Sequence, residues 1–384
     1  MKKILVLHNR YQQLGGEDIA VDNEIKVLEK HFEIKTLYFE NNIENIFSIA
    51  LSFLINHNLK STKILKEEIE KFKPEIVYVH NTWFKASLGI YSILKKNNIK
   101  TFIKLHNFRY NCTRSFFKSV HLGESNVCKA CAMDNKKTLL FNRYFPDSLI
   151  KSIFVNIYGK KYYKILMSKN SRIFVLTDFH KNFLEIKKEF KGSVSVLKNP
   201  IVAPVISKQL STSENYILYA GRISDEKGVK VLIESFLNSK LKEFKLKIVG
   251  EGPLYSELFE KYKNSKAVEI LGRMSNEKVL NLINDSKAVV TATQLYEGQP
   301  TLLSEASLLG VPSIFPKTGG ISEFFDINYP LSYEQFNYKD LVEKLNLLLD
   351  LDLVNKIGIK NRTFIQNSMT EEIYIERFKN IINE

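Results

Sequence analysis

The sequence predicts a two-domain α/β protein in which each domain is a doubly wound parallel sheet with helices on both faces. Three observations predict it. Short apolar runs bounded by polar residues alternate with longer segments of helical period, which is how parallel βαβ units read. The alternation occurs twice, on either side of a stretch from Asn199-Pro200 to Asn215 where Pro, Ser and Thr cluster and periodicity lapses. The chain has 384 residues, and at roughly 100–200 residues per domain it accommodates two or three domains, each with its own core.

In order along the first half, the apolar runs at 4–7, 34–39, 76–79, 101–105, 173–176 and 194–197 read as strands. Those of the second half fall at 216–220, 246–249, 268–271, 288–292 and 312–315. Helices are expected at about 18–30, 61–72, 87–97, 227–238, 253–264, 276–284, 301–309 and 338–349, between the strands. Segment 106–150 fits neither pattern and reads as an irregular insertion in the first domain. Two such Rossmann-like domains, 1–200 and 201–369, facing one another would form a cleft where the carboxyl ends of both sheets converge.

Composition narrows the class. Hydrophobic residues make up 44% and charged residues 26%, which is globular rather than disordered. Three cysteines cannot build a disulfide framework. The opening apolar run is too short for a signal peptide, and no 18-residue apolar span occurs, so a cytosolic protein is expected. The net charge of +14 is uneven: residues 85–198 alone hold 23 basic and 6 acidic side chains, whereas residues 201–384 are nearly balanced. That asymmetry points to an anionic partner for the first domain, although a Lys-rich composition serving solubility explains part of it.

The most informative stretch runs from Glu297-Gly-Gln-Pro-Thr-Leu-Leu-Ser-Glu305 to Gly310-Val-Pro312. Pro300 suits a first helical turn, and Gly310 before Pro312 suits helix termination. Gly298, Gln299, Pro300 and Thr301 therefore lie at a helix N-terminus at the carboxyl edge of a sheet, where free N–H groups and the dipole favour phosphate. Glu297 and Glu305 would accept bonds from hydroxyls on either side. A phosphate between two polyols describes a nucleotide sugar; a plain amphipathic helix with its glutamates in water is the bland alternative. Gly221-Arg222-Ile-Ser-Asp-Glu-Lys227-Gly228, directly after the strand that opens the second domain, sets a planar fork and a mobile point charge at the same edge. Gly319-Gly320 supplies a further loop of the kind that approaches a ligand closely.

With these residues in place, the whole chain resembles a retaining glycosyltransferase of family 4, with the two-Rossmann GT-B fold. The family's Glu-x7-Glu motif is matched by Glu297 and Glu305, and its basic diphosphate pair by Arg222 and Lys227. The chain also resembles the subgroup that builds bacterial surface polysaccharide, O-antigen, capsule or lipopolysaccharide, through His8-Asn9, Gly15-Gly16-Glu17-Asp18 and Leu105-His106-Asn107-Phe108-Arg109. The resemblance implies that Arg222 and Lys227 neutralise the departing diphosphate. It implies that Glu305 binds the ribose and that Glu297 with the Gly298–Pro300 backbone holds the donor sugar. It assigns His106 to the donor sugar and lets the Gly15-Gly16 backbone approach sugar and phosphates. Transfer with retention, without a required metal or cofactor, to a lipid-linked or lipopolysaccharide oligosaccharide is implied too, as is the return of a helix at about 370–382 to the first domain. Gln299 and Pro300 stand where many relatives carry an aromatic-glycine pair, so the donor sugar stays open.

Cys112, Cys128 and Cys131, with His121 between them, make a plausible tetrahedral zinc set in the insertion, while reduced buried thiols are the reading preferred on sequence alone. Asp350-Leu-Asp352 reads as surface trailing a helix, not as a metal-binding pair. Segment 151–169 reads as a basic, aromatic amphipathic helix; its apolar face suits either an anionic membrane surface or its own domain's sheet. A peripheral enzyme on the cytoplasmic face of the inner membrane is the resulting expectation. A nucleotide-sugar epimerase shares the layout but needs no acceptor, and the basic first domain argues mildly against it. A nucleic-acid binder lacks a recognised motif, and a dinucleotide oxidoreductase lacks Gly-x-Gly-x-x-Gly at either opening turn.

Overall fold

The computed structural model describes residues 1–11, 15–41, 52, 55–122, 127–131, 133, 143–145, 148–201 and 214–384, without the side chains of residues 120 and 121. The chain divides into two compact units. One comprises Met1–Pro200 with Tyr374–Glu384, the other Ile201–Ile373.

The first unit is built on a six-stranded sheet. Its strands are β1 (Lys3–Arg10), β2 (Glu33–Glu40), β3 (Ile76–Val79), β4 (Lys100–Leu105), β5 (Arg172–Val175) and β6 (Ser193–Val196), in the order β2-β1-β3-β4-β5-β6. Every pairing is parallel. Its helices are α1 (Gly16–Leu28), α2 (Leu59–Phe72), α3 (Gly89–Lys96), the short α4 (Lys118–Leu122), α5 (Leu149–Leu166) and α6 (Asp178–Glu185). Because side chains alternate along a strand, β1 serves two cores. Ile4 and Val6 pack with Tyr78, Phe102 and Phe174 against Val21, Ile25 and Leu28 of α1, together with Tyr374, Phe378 and Ile382 of the C-terminal helix. Leu5 and Leu7 pack on the other face with Val77, Val79, Leu65, Ile90 and Leu94.

The second unit repeats the scheme with β7 (Tyr216–Ala220), β8 (Lys245–Val249), β9 (Val268–Gly272), β10 (Ala288–Val290), β11 (Ser313–Lys317) and β12 (Ser332–Glu334), ordered β12-β11-β10-β7-β8-β9. Helices α7 (Val229–Leu237), α8 (Tyr255–Tyr262), α9 (Asn276–Asp285), α10 (Thr301–Leu309), α11 (Tyr338–Asn346) and α12 (Leu351–Ser368) cover it, and α13 (Glu371–Asn383) carries the chain back into the first unit. In both sheets strand order reverses beside the first strand, between β1 and β3 and between β7 and β10, and ligands of open α/β sheets bind at such points.

Several elements differ from the sequence reading. The segment read as a helix from 227 opens instead as a 3-10 turn, Asp225–Lys227, because Gly228 takes a left-handed conformation (φ 68°) before α7 begins. As read from sequence, Asp350 and Asp352 are exposed and follow a helical segment, which closes in the 3-10 turn Leu347–Leu349; Asp350 also caps α12, its carboxylate accepting from the Leu353 N–H at 3.0 Å. Helix α5 buries Val155, Tyr158, Gly159, Tyr163 and Leu166 in its own unit while Ile150, Ile153, Lys160, Lys161 and Lys164 face outward. It therefore packs at home and still presents an apolar and cationic outer face. No helix among the described residues is long and apolar enough to cross a membrane.

Candidate functional site

At the carboxyl edge of the second sheet, three loops are sewn together by backbone bonds. After β7, Ile223 is fully buried and its N–H bonds the Glu251 carbonyl at 2.9 Å, which fixes the start of the Asp225–Lys227 turn. The Gln294 N–H reaches the Glu226 carbonyl at 3.0 Å, joining the loop after β10 to that turn. Gly228 lies so close to Ala292 that a Cβ there would stand 2.0 Å from its carbonyl oxygen. The result is a defined place for Lys227: its Nζ lies 2.5 Å from Glu297 Oε1, which also accepts the Thr293 hydroxyl at 2.9 Å. Both ends of the ion pair keep some exposure, 29% for Lys227 and 21% for Glu297, so a ligand can reach them.

Gly319 and Gly320 approach the backbone of the loop that carries Glu297. The Gly320 N–H bonds the Glu297 carbonyl at 2.8 Å, and a Cβ on Gly319 (φ 58°) would sit 2.3 Å from that same oxygen. Gly319→Ala therefore forces the loop carrying Glu297 to move. The expected outcome is roughly 1–3 kcal/mol of lost stability, read by denaturant melts.

Helix α10 begins here. Its N-cap, Pro300, offers no side-chain cap, and Gly310 ends it in the left-handed region (φ 74°). Uncapped N–H groups beside Gly298, Gln299 and Thr301 make the positive end that an anion prefers. In the first turn the buried Ser304 hydroxyl has no hydrogen-bond partner among the described residues, a feature a bound ligand or water would satisfy. Burial pushes the Glu305 carboxyl up to about 7. Raised above the unfolded value of 4.5, this group favours folding below pH 4.5 and loses that contribution as pH rises through 7. Glu305→Gln should thus match the native chain near pH 4 and exceed it in stability by roughly 2–3 kcal/mol at pH 8, measured by urea unfolding across that range. Arg222 stands apart from this cluster: its side chain is 58% exposed and its guanidinium lies 4.0 Å from Glu226.

The first unit has its own polar edge at the β1/β3 reversal. His8 Nε2 lies 2.8 Å from Asp18 Oδ1, both buried, and the other Asp18 oxygen accepts the Gly15 N–H at 2.9 Å, so Gly15 and Gly16 open α1 in an ordinary extended-to-helix turn. His106, directly after β4, stacks on His80 with Nε2 and Nδ1 3.0 Å apart. Burial pushes both imidazoles well below their usual range, the mutual repulsion of the two rings adding to it for His106, so both are neutral at pH 7. Beneath them Lys104, wholly buried, gives both its bonds to Glu24 at 2.8 and 2.9 Å. Sequence reasoning missed Thr293 and the Lys104–Glu24 pair. Threonine four residues before Glu297 was the only available signal for the first; nothing in sequence pointed to the second.

The two reversing parallel sheets are the GT-B fold of glycosyltransferases. Over its full length the chain matches sucrose-phosphate synthase from Thermosynechococcus elongatus (TM-score 0.74, 12% identity, 98% of that chain). It likewise matches Anabaena HepE in complex with UDP and glucose (TM-score 0.67, 13% identity, 100% of both chains). In sequence, residues 205–368 match the family of glycosyl transferases group 1. It is 25% identical over 219 residues to the amylovoran biosynthesis glycosyltransferase AmsD of Erwinia amylovora, a match covering 55% of this chain. It is 27% identical over 240 residues to the lipopolysaccharide 1,2-N-acetylglucosaminetransferase of Salmonella typhimurium, covering 56% of this chain. Each match spans 62% of the relative's own length.

Proposed function

We propose that the chain transfers a sugar, with retention, from a nucleotide-diphosphate donor to a lipid-linked oligosaccharide in surface-polysaccharide synthesis. The Lys227–Glu297–Thr293 cluster beside the uncapped start of α10 carries this reading. The bond from the anomeric carbon to the outer phosphate oxygen breaks as the bond to the acceptor oxygen forms on the same face, and the acceptor's proton passes to the departing phosphate. Negative charge grows on the diphosphate as this happens, so cations placed there act on the transition state. Lys227 supplies that charge from a fixed position and Arg222 from an exposed, mobile one, which is why no metal is required in this scheme. Glu297 accepts from sugar hydroxyls, and Glu305 takes the ribose pair. His106 serves the sugar as a neutral imidazole that donates or accepts a hydrogen bond without bringing charge.

The names of the relatives support the acceptor class: one acts in amylovoran synthesis and one on lipopolysaccharide. HepE binds UDP and glucose, which puts UDP-sugars first among donors to try. The outer face of α5, with Ile150, Ile153, Lys160, Lys161 and Lys164 exposed, suits the headgroup layer of an anionic membrane and supports a peripheral enzyme working where lipid-linked acceptors lie.

The test is thermal stabilisation by UDP, GDP and their sugars. One nucleotide family should raise the melting temperature, and Glu305→Ala should abolish the rise. Stabilisation by every polyanion alike, unaffected by the substitution, would sink the donor site. Co-sedimentation with anionic vesicles, lost at high salt, tests the membrane surface separately.

A further inference from the structure

We propose that Cys112, Cys128 and Cys131 form a zinc site that staples the insertion to the edge of the first sheet. Their Sγ atoms all lie within 4.8 Å of one another, and those of Cys112 and Cys128 are 3.2 Å apart. A tetrahedral zinc with arms of about 2.3 Å holds its sulfurs about 3.8 Å apart, inside that span. All three residues are thiols, none in a disulfide.

The two arms of the site come from opposite ends of the stretch 112–131. Cys112 ends the 3-10 turn Arg109–Asn111, and its N–H bonds the Arg109 carbonyl at 3.0 Å. Gly159 of α5 presses on the next residues so closely that a Cβ there would stand 2.5 Å from the Thr113 carbonyl carbon. The first ligand is therefore fixed by the folded unit. Cys128 and Cys131 belong to a tight turn in which the Cys131 N–H donates to the Cys128 carbonyl at 3.2 Å and the Cys128 N–H to Met133 at 3.1 Å. Short paired spacing on one arm and a single ligand on the other is how structural zinc closes a loop.

Thiols that merely filled a core would be dispersed among apolar side chains; here three sulfurs converge on one another. Cys112 and Cys128 are buried and Cys131 is half-buried, while the side chain of His121, the fourth ligand in the sequence reading, lies outside the described residues. As each Zn–S bond forms, the thiol releases its proton to solvent, so three thiolates and Zn²⁺ carry one net negative charge. Lys187 interacts electrostatically with Cys112, a cation placed to favour that charge.

The experiment uses the full chain, purified under reducing conditions without chelator. Elemental analysis should find about one zinc per chain, and a mercurial that blocks thiols should release it to a zinc-sensitive dye. Cobalt substituted for zinc should give the intense near-ultraviolet band of thiolate ligation. Cys128→Ser should weaken zinc binding by at least about 100-fold; if that variant fails to fold, mercurial release and the cobalt spectrum of the native chain decide. A native chain that takes up no zinc when titrated with it, a mapped Cys112–Cys128 disulfide in place of metal, or full zinc retained by folded Cys128→Ser would each overturn the proposal.

Discussion

Lys227→Ala is expected to lower turnover roughly 10²–10³-fold, the usual cost of removing one fixed charge from a developing anion. The ion pair with Glu297 explains why so large a share rests on this residue. Lys227 is held at 2.5 Å by a carboxylate that is itself held by Thr293, on a turn pinned through Gly228 to the backbone at Ala292. Its ammonium needs little reorganisation when a diphosphate arrives. Arg222→Ala should cost less, since that side chain is mostly exposed and must pay entropy to come to order. The assay is release of nucleotide diphosphate from its sugar, with and without acceptor. Lys227→Ala with Glu297→Gln should be markedly non-additive, because the two groups share one bond. Additive losses, or Arg222→Ala as severe as Lys227→Ala, would move the catalytic charge elsewhere.

The second large effect concerns stability. Lys104→Met is expected to destabilise the first unit by about 3–5 kcal/mol, the cost of stranding one half of a buried ion pair. Lys104 and Glu24 are both fully buried, and the substitution leaves Glu24 with the hydroxyls of Tyr78, at 2.8 Å, and Tyr374, at 2.5 Å. Adding Glu24→Gln should recover much of the loss, since an uncharged pair no longer needs the ammonium. Trp83 is the single tryptophan of the chain and lies in the first unit, so its fluorescence reports this unit's unfolding alone. A fluorescence midpoint unmoved by Lys104→Met would show that Glu24 finds another partner.

The alternation of Ile4–Leu7 between two cores, and of its counterparts down both sheets, was legible because a strand buried on both faces must be apolar throughout. Strand β12 was not, because Ser332-Tyr333-Glu334 at a sheet edge buries mainly one large side chain. Helix α12 was missed for a different reason. Gly358 interrupts its pattern, yet that glycine is there to let the Gly310 carbonyl come within what would be 1.9 Å of a Cβ. Helix packing had overridden propensity. The candidate site was legible as a motif, Glu297 to Glu305, but not as a geometry. The contact of Lys227 with Glu297 spans 70 residues and that of Lys104 with Glu24 spans 80, and both depend on which loops and strands the sheet order makes neighbours. Lys104 in particular sits in a run that reads as an ordinary apolar strand, where only the fold could supply the opposite charge.

The return of α13 sets the order in which the molecule can be finished. Tyr374, Ile375, Phe378 and Ile382 complete one face of the first sheet, and Tyr374 also closes the bond to Glu24. These residues leave the ribosome after the whole of the second unit. The unit made first is thus the one completed last, and until the final turns emerge its sheet keeps an apolar face and a buried-to-be carboxylate open to chaperones and proteases. A nonsense codon just before residue 374 would leave the second unit with its own core residues and condemn the first. Loss at the chain's tail would then read, in a cell, as failure of its beginning.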